Sequence, residues 1–117
     1  QPFGYSHVVE VQAGRALYIS GQIALDAAGQ LVGAGDMAAQ AEQVFAHIAA
    51  ALAAAGASFA DVVKLTYFLT DIAQIAAVRT VRDRYINTQQ PPASSAVEVR
   101  RLVRDDLLIE IEAIAVV

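Results

Sequence analysis

Cysteine and tryptophan are both absent from the 117 residues, and proline occurs only three times. Without cysteine the chain can form neither a disulfide framework nor a thiolate zinc site, which fits a reducing cytoplasm. The two histidines, His7 and His47, are too isolated to make a metal site, so no metal is expected. Basic residues are also scarce, eight Lys and Arg against twelve Asp and Glu, for a net charge of −4. A nucleic-acid binder needs a basic face to displace phosphate counterions, so nucleic acid is not an expected partner. A local cationic pocket for one small anion stays open. No apolar run approaches the ~20 residues of a membrane span. Even the alanine-rich IAAALAAAGA is closely flanked by charged and polar residues. No signal peptide is visible, and Gln1 suggests that a methionine or leader once preceded it. Phosphate loops, HExxH, CxxC, GxSxG and dinucleotide fingerprints are all missing.

What is plentiful is hydrophobic sequence, 56% of the chain. That predicts a single domain, 1–117, with one core. On so small and acidic a chain, part of the apolar surface is expected to lie between subunits.

Turn signals and periodicity divide the chain into elements. Ser6–Val11 and Ala16–Ala24 read as strands joined by Gln12-Ala13-Gly14-Arg15. In the second, Leu17, Ile19, Gly21 and Ile23 share one face, and Tyr18, Ser20 and Gln22 the other. A glycine inside a strand marks a bulge or a close approach, and Gly21 is such a glycine. A short segment follows near Leu31. Asp36 is a plausible N-cap for a helix ending at Gly56, with Met37, Ala41, Val44, Ile48, Leu52 and Ala55 on one stripe. Val62–Leu69 reads as a strand with Val63, Leu65, Tyr67 and Leu69 on one face. Asp71 can cap a second helix whose inner stripe is Ile75, Val78, Val81 and Tyr85, and which must stop before Pro91. Two strands close the chain, Ser95–Arg101 and Leu107–Val116. The predicted fold is α/β (α+β): a five- to six-stranded mixed sheet with two helices on one face. The other face is apolar enough to need a cover, most simply other copies of the chain.

Several residues could carry chemistry. Ser94 and Ser95 can be combined on paper with a histidine and an aspartate as a triad, but no spacing supports it. Arg79 and Arg82 lie three apart, so they share a helix face and could together bind a carboxylate, or could form a solvated face paired with Asp83. Glu110 and Glu112 share one face of the last strand, opposite Ile109, Ile111 and Ala113; such acids must face solvent, a cation or a water-filled cleft.

Several segments together resemble the Rid family of reactive intermediate deaminases, also called YjgF or L-PSP. They are YSHVVEV, LYISGQIALD, QAEQVFAHIAAALAAAGASFADVVKLTYFLTD, PPASSAVEVRRL and IEIEAIAV, which in order span nearly the whole chain. The resemblance implies a chorismate-mutase-like fold assembled as a homotrimer, with a small-molecule ligand in clefts between subunits. It also implies hydrolysis of enamines and imines to keto acids and ammonia, without metal or organic cofactor. An RNA-cleaving role proposed for some relatives is disfavoured by the acidic balance.

By position, Tyr5 matches a tyrosine of the family's cleft, Ser20-Gly21-Gln22 its SGQ element, and Glu110 the glutamate that positions or activates water. The resemblance breaks at one place. Family deaminases hold the substrate carboxylate with the arginine of a P-A-R-S motif, and here that motif reads Pro92-Ala93-Ser94-Ser95. A hydroxyl cannot replace a bidentate ion pair. Two more cleft positions differ: Arg79 stands where the deaminases often have asparagine, and Ala96 follows the serines. The expectation is an altered substrate, or a non-catalytic trimer that binds a metabolite or a protein.

Overall fold

The computed structural model describes residues 4–117, so Gln1, Pro2 and Phe3 lie outside the described residues. Among the described residues there are four strands and two α-helices, with two short 3-10 turns between them: β1 (Ala16–Gln22), α1 (Met37–Ala54), β2 (Val62–Leu69), α2 (Ile75–Arg82), β3 (Ala93–Glu98) and β4 (Ile109–Val116). The sheet order is β1-β4-β2-β3. β4 runs antiparallel to both β1 and β2, whereas β3 lies parallel to β2. A parallel neighbour requires a crossover, and α2 supplies it.

The predicted α1 stripe is the buried one: Met37, Ala41, Val44, Ile48 and Leu52 all face the sheet. Asp36 caps this helix, its carboxylate accepting from the Ala39 amide at 3.1 Å. Gln40 interrupts the stripe with no exposed surface at all, and each end of its amide has a partner. Its nitrogen donates to the Gly33 and Asp106 carbonyls and its oxygen accepts from the Leu108 amide, so it staples α1 to the start of β4. His47 is likewise structural, its ring 2.6 Å from the Leu25 carbonyl. On the sheet, Leu65, Tyr67 and Leu69 of β2 and Ile109, Ile111, Ala113 and Ala115 of β4 are buried beneath the helices. β4 alternates throughout and β2 from Lys64 onward, which puts every second residue on the opposite face. At the start of β2 a register shift between Val62 and Lys64 buries Val62 in place of the predicted Val63.

Four expectations need correction. The sheet has four strands, fewer than the five or six predicted. Ser6–Val11 is not a strand: Ser6 makes one isolated bridge to Ala93, and the rest of the segment runs exposed, with Val8 81% accessible. Alternating valines meet the local requirement for a strand, but a strand also needs a partner edge, and within one chain this segment finds none past Ser6. The third strand opens at Ala93 and ends at Glu98, two to three residues earlier than predicted. Pro92 ends the preceding segment, and Arg100 and Arg101 lie in the following loop, where Arg101 pairs with Asp105. The segment near Leu31 is likewise a single bridge to Leu25.

The second helix is preceded by a separate 3-10 turn, Ile72–Gln74, and it is this turn that Asp71 caps. Beyond it, Glu42 joins the two helices, accepting from Arg84 at 2.9 Å and from the Tyr85 hydroxyl at 2.5 Å. The Tyr85 donation, reinforced by Arg84, holds the Glu42 carboxyl below its ordinary value. None of the helices among the described residues is long and apolar enough to cross a membrane.

Candidate functional site

A cavity of about 260 Å³ opens between α2 and β3. Its origin is a change of side-chain size along the sheet. Under the helices β2 and β4 present leucine, isoleucine and tyrosine, but the register places Ser94 and Ala96 of the edge strand β3 on that same face. Those two are too small to fill the space beneath α2, and the gap between layers stays open.

Tyr5, Arg79, Arg82, Ser94, Ser95 and Ala96, six of the residues singled out from sequence, border this cavity. They do so on different terms. Arg79 is exposed and has no ion pair among the described residues. Arg82 is 6% exposed, which corrects the picture of a solvated helix face. Its Nε and Nη2 both reach Asp83 Oδ1, at 2.9 and 2.8 Å, so the Asp83 pairing is present but one partner is buried. Its guanidinium also packs so closely on Gly4 that a Cβ there would overlap it. Ser95 projects to the opposite face of the sheet, where its hydroxyl accepts from Lys64 at 2.9 Å. Tyr5 is half-buried, its ring edge-on to His7.

Ser20, Gly21, Gln22 and Glu110 form a second group elsewhere. Glu110 pairs in register with Phe68, and Phe68 with Val97, so the three share the sheet face turned away from the helices. Ser94 pairs with Leu65 on the helix face. Within one chain, therefore, Glu110 and Ser94 are on opposite sides of the sheet. The register of β1 on β4 slips between Ile19 and Gln22, a bulge centred where Gly21 lies. A Cβ on Gly21 would overlap the Glu110 carboxylate, so this glycine provides the close approach as well as the bulge. Gln22 folds back to donate to the Ser20 carbonyl at 2.9 Å.

Three cavity residues, Tyr67, Ile75 and Val78, were read from sequence only as core positions. Tyr67 reads as one more apolar position of β2, yet it borders the cavity. It is 3% exposed, and its hydroxyl is buried with no hydrogen-bond partner in acceptable geometry. Burial pushes its pKa up to about 12, against the opposing pull of the Arg82 charge and of the nearby Ser94 and Arg82 side chains. A tyrosine on a buried strand face carries a polar atom that needs a destination, and this was the available signal. Ile75 and Val78 supply the apolar part of the wall. Among the described residues no three His, Cys, Asp or Glu side chains are grouped so as to hold a metal ion.

A four-stranded mixed sheet with two helices on one face, and a small cavity at its parallel edge, defines the class. The family model described as endoribonuclease L-PSP matches residues 2–117, and the chain belongs to this Rid/YjgF family. Protein DfrA of Myxococcus xanthus is 46% identical over 112 residues, covering 96% of this chain and 84% of that one. The human 2-iminobutanoate/2-iminopropanoate deaminase is 40% identical over 113 residues, covering 96% and 79% respectively. Among solved structures, the Rid-family protein YyfB of Yersinia pestis superposes with a TM-score of 0.91 at 42% identity, over 99% of this chain and 89% of that one. The YjgF gene product of E. coli gives 0.77 at 38% identity, over 91% and 84%.

Proposed function

We propose that this protein is a cofactor-independent imine or enamine hydrolase acting on a small carboxylate-bearing substrate, in clefts completed between neighbouring copies of a chorismate-mutase-like homotrimer. The observation that carries the reading is the division of the site between the two sheet faces. Arg79, Arg82, Ser94 and Tyr5 gather at the cavity, and Glu110 stands beyond the sheet with Gly21 against it. A second copy is the simplest way to bring a carboxylate base to the cavity. The open sheet face supports that arrangement: Tyr18 is 77% and Val97 45% exposed there, large apolar side chains that a neighbouring copy would cover.

The chemistry asks little of the protein beyond positioning. An enamine substrate first becomes the imine, gaining a proton at its β-carbon and losing one from nitrogen. Water then adds to the carbon of the C=N bond as Glu110 accepts its proton. That proton passes to the nitrogen, and the carbinolamine collapses to a keto acid and ammonia. The endoribonuclease description of the family is a poorer fit to this chain, whose net charge is −4 and whose cavity offers two arginines, one of them already paired with Asp83.

The test is ammonia release from 2-aminoacrylate and from bulkier or uncharged imines. Turnover is expected on part of the panel but weakly on 2-aminoacrylate, because Ser94 occupies the place of the family's carboxylate-binding arginine. Ser94→Arg is expected to recover only part of the 2-aminoacrylate activity, since Arg79 and Ala96 differ as well. An assembled trimer that is silent across the whole panel sinks the hydrolase reading in favour of a binding protein.

Gly21→Ala provides a separate check on Glu110. The backbone at Gly21 is in a conformation open to any residue, and the obstructing atoms are the far end of a flexible side chain. The melting temperature should stay near that of the parent, while displacement of the carboxylate should cut turnover by about a hundredfold. Unchanged turnover would show that the water is activated elsewhere.

A further inference from the structure

The Tyr67 hydroxyl has no assigned role, and its setting is unusual. A phenol on the buried face of a central strand is normally hydrogen-bonded, because an unpaired polar group away from water is costly. Here the group is unpaired. It lies close to Ser94 and to Arg82, which border the same cavity. All three side chains can donate hydrogen bonds, and Arg82 adds a positive charge that Asp83 holds in place without occupying the whole fork.

We propose that Tyr67 of β2, Arg82 of α2 and Ser94 of β3 form a receptor for a ligand carboxylate, its positive charge supplied from α2 and no longer from β3. This deepens the hydrolase reading, since it names the group that grips the substrate in place of the missing arginine. A carboxylate oxygen seated between Arg82 and Ser94 accepts from the Tyr67 hydroxyl, giving the buried donor the well-aligned acceptor that Ser94 and Arg82, though near, do not provide. The phenol suits the task because burial holds its pKa near 12, so it keeps its proton throughout the physiological range and does not repel an anion. The cavity, about 260 Å³, lies just under the ~300 Å³ lower end of drug-sized sites and suits a small acid. Ile75 and Val78 are positioned to contact an apolar remainder.

An unpaired buried donor makes an unusual forecast for Tyr67→Phe. Removing the hydroxyl should leave the melting temperature of the unliganded protein unchanged or raised, because a desolvation penalty disappears with it. The same substitution should weaken binding of a small 2-oxo acid, pyruvate or 2-oxobutanoate, by about tenfold or more, as expected for a lost hydrogen bond to a charged group. The corresponding amides, which lack the carboxylate charge, should bind weakly to both proteins and differ little between them. Calorimetric titration of the whole protein measures all of these. Ser94→Ala should weaken 2-oxo acid binding in the same direction, and it keeps the result interpretable if Tyr67→Phe disturbs packing. Equal 2-oxo acid affinity in parent, Tyr67→Phe and Ser94→Ala would overturn the receptor. So would a falling melting temperature for Tyr67→Phe with affinity intact, which would mark the hydroxyl as purely structural. The two readings fail separately. Binding that depends on Tyr67 without any imine turnover leaves the receptor and removes the hydrolase; turnover and binding indifferent to Tyr67→Phe do the reverse.

Discussion

Phe45→Ala is expected to lower the unfolding free energy by about 3–5 kcal/mol. Phe45 has no exposed surface and sits where the two helices and the sheet meet. Its ring stacks on Tyr85 with centroids 5.3 Å apart and an 18° interplanar angle, and it contacts Phe59 and Tyr67 at 6.0 and 6.3 Å. Truncation removes the ring's burial and leaves a cavity that Phe59, Tyr67 and Tyr85, each anchored elsewhere in the chain, cannot jointly close. Each aromatic pair adds about 0.5–1.5 kcal/mol beyond the area it buries. For a domain whose total stability is about 5–15 kcal/mol, the loss is a large part of the whole. Urea denaturation at fixed protein concentration should show a lower midpoint with an unchanged slope. Phe45→Leu, closer in volume, should cost about 1–2 kcal/mol. The effect should also reach the cavity, because the Tyr67 ring is one of the Phe45 neighbours. A variant that stays folded but binds 2-oxo acids more weakly would reveal that link. A midpoint shift below that of Phe45→Leu would show that the aromatic cluster is not a packing centre.

How much of this could be read without coordinates depends on how local each determinant is. The α1 stripe and the bounds of β2 depend on neighbours a few residues away, and these were legible. Asp71 was legible as a cap, but what it caps is the 3-10 turn Ile72–Gln74 and not α2. Gly21 was legible as an anomaly, and the bulge offered for it is there. What approaches it is the Glu110 side chain and neither a backbone nor a ligand, and the bulge turns Gly21 away from the face predicted for it with Leu17 and Ile19. Ser6–Val11 misled because alternation describes one strand, while pairing depends on an edge contributed from elsewhere. Arg82 misled for a related reason. Helical spacing puts it beside Arg79 but cannot tell that Gly4 packs on its guanidinium and closes it off from solvent. Tyr67 was hidden by its own fit: on an alternating strand it counts as apolar, and only the small residues on β3 leave its hydroxyl stranded beside a cavity. The parity of Glu110 and Ser94 was within reach on each strand separately. Their placement on opposite faces followed only once β2 had linked β3 to β4.

That parity leads to a result that separates a site within one chain from a site between chains. Glu110→Gln alone should reduce imine turnover by about 10²–10⁴-fold, the range for loss of a general base. Arg79→Glu should abolish productive binding of an acid substrate, because it puts a like charge at an exposed position on the cavity rim. Neither change touches the buried core: Arg79 is exposed, and Glu110→Gln preserves side-chain shape. If each cleft takes its arginines from one copy and its glutamate from the next, mixing the two inactive variants creates clefts with both groups intact. After random subunit exchange at equal concentrations, about one quarter of clefts are complete, since two independent choices must each favour the intact residue. Turnover should recover to about that fraction of the parent activity, and only after exchange has been allowed to occur. Mixed trimers that form, as shown by mass spectrometry, yet remain as inactive as the separate variants would place both halves of the machinery in a single chain. That outcome would require Glu110 to reach around the sheet edge, against the strand register, and would overturn the composite cleft.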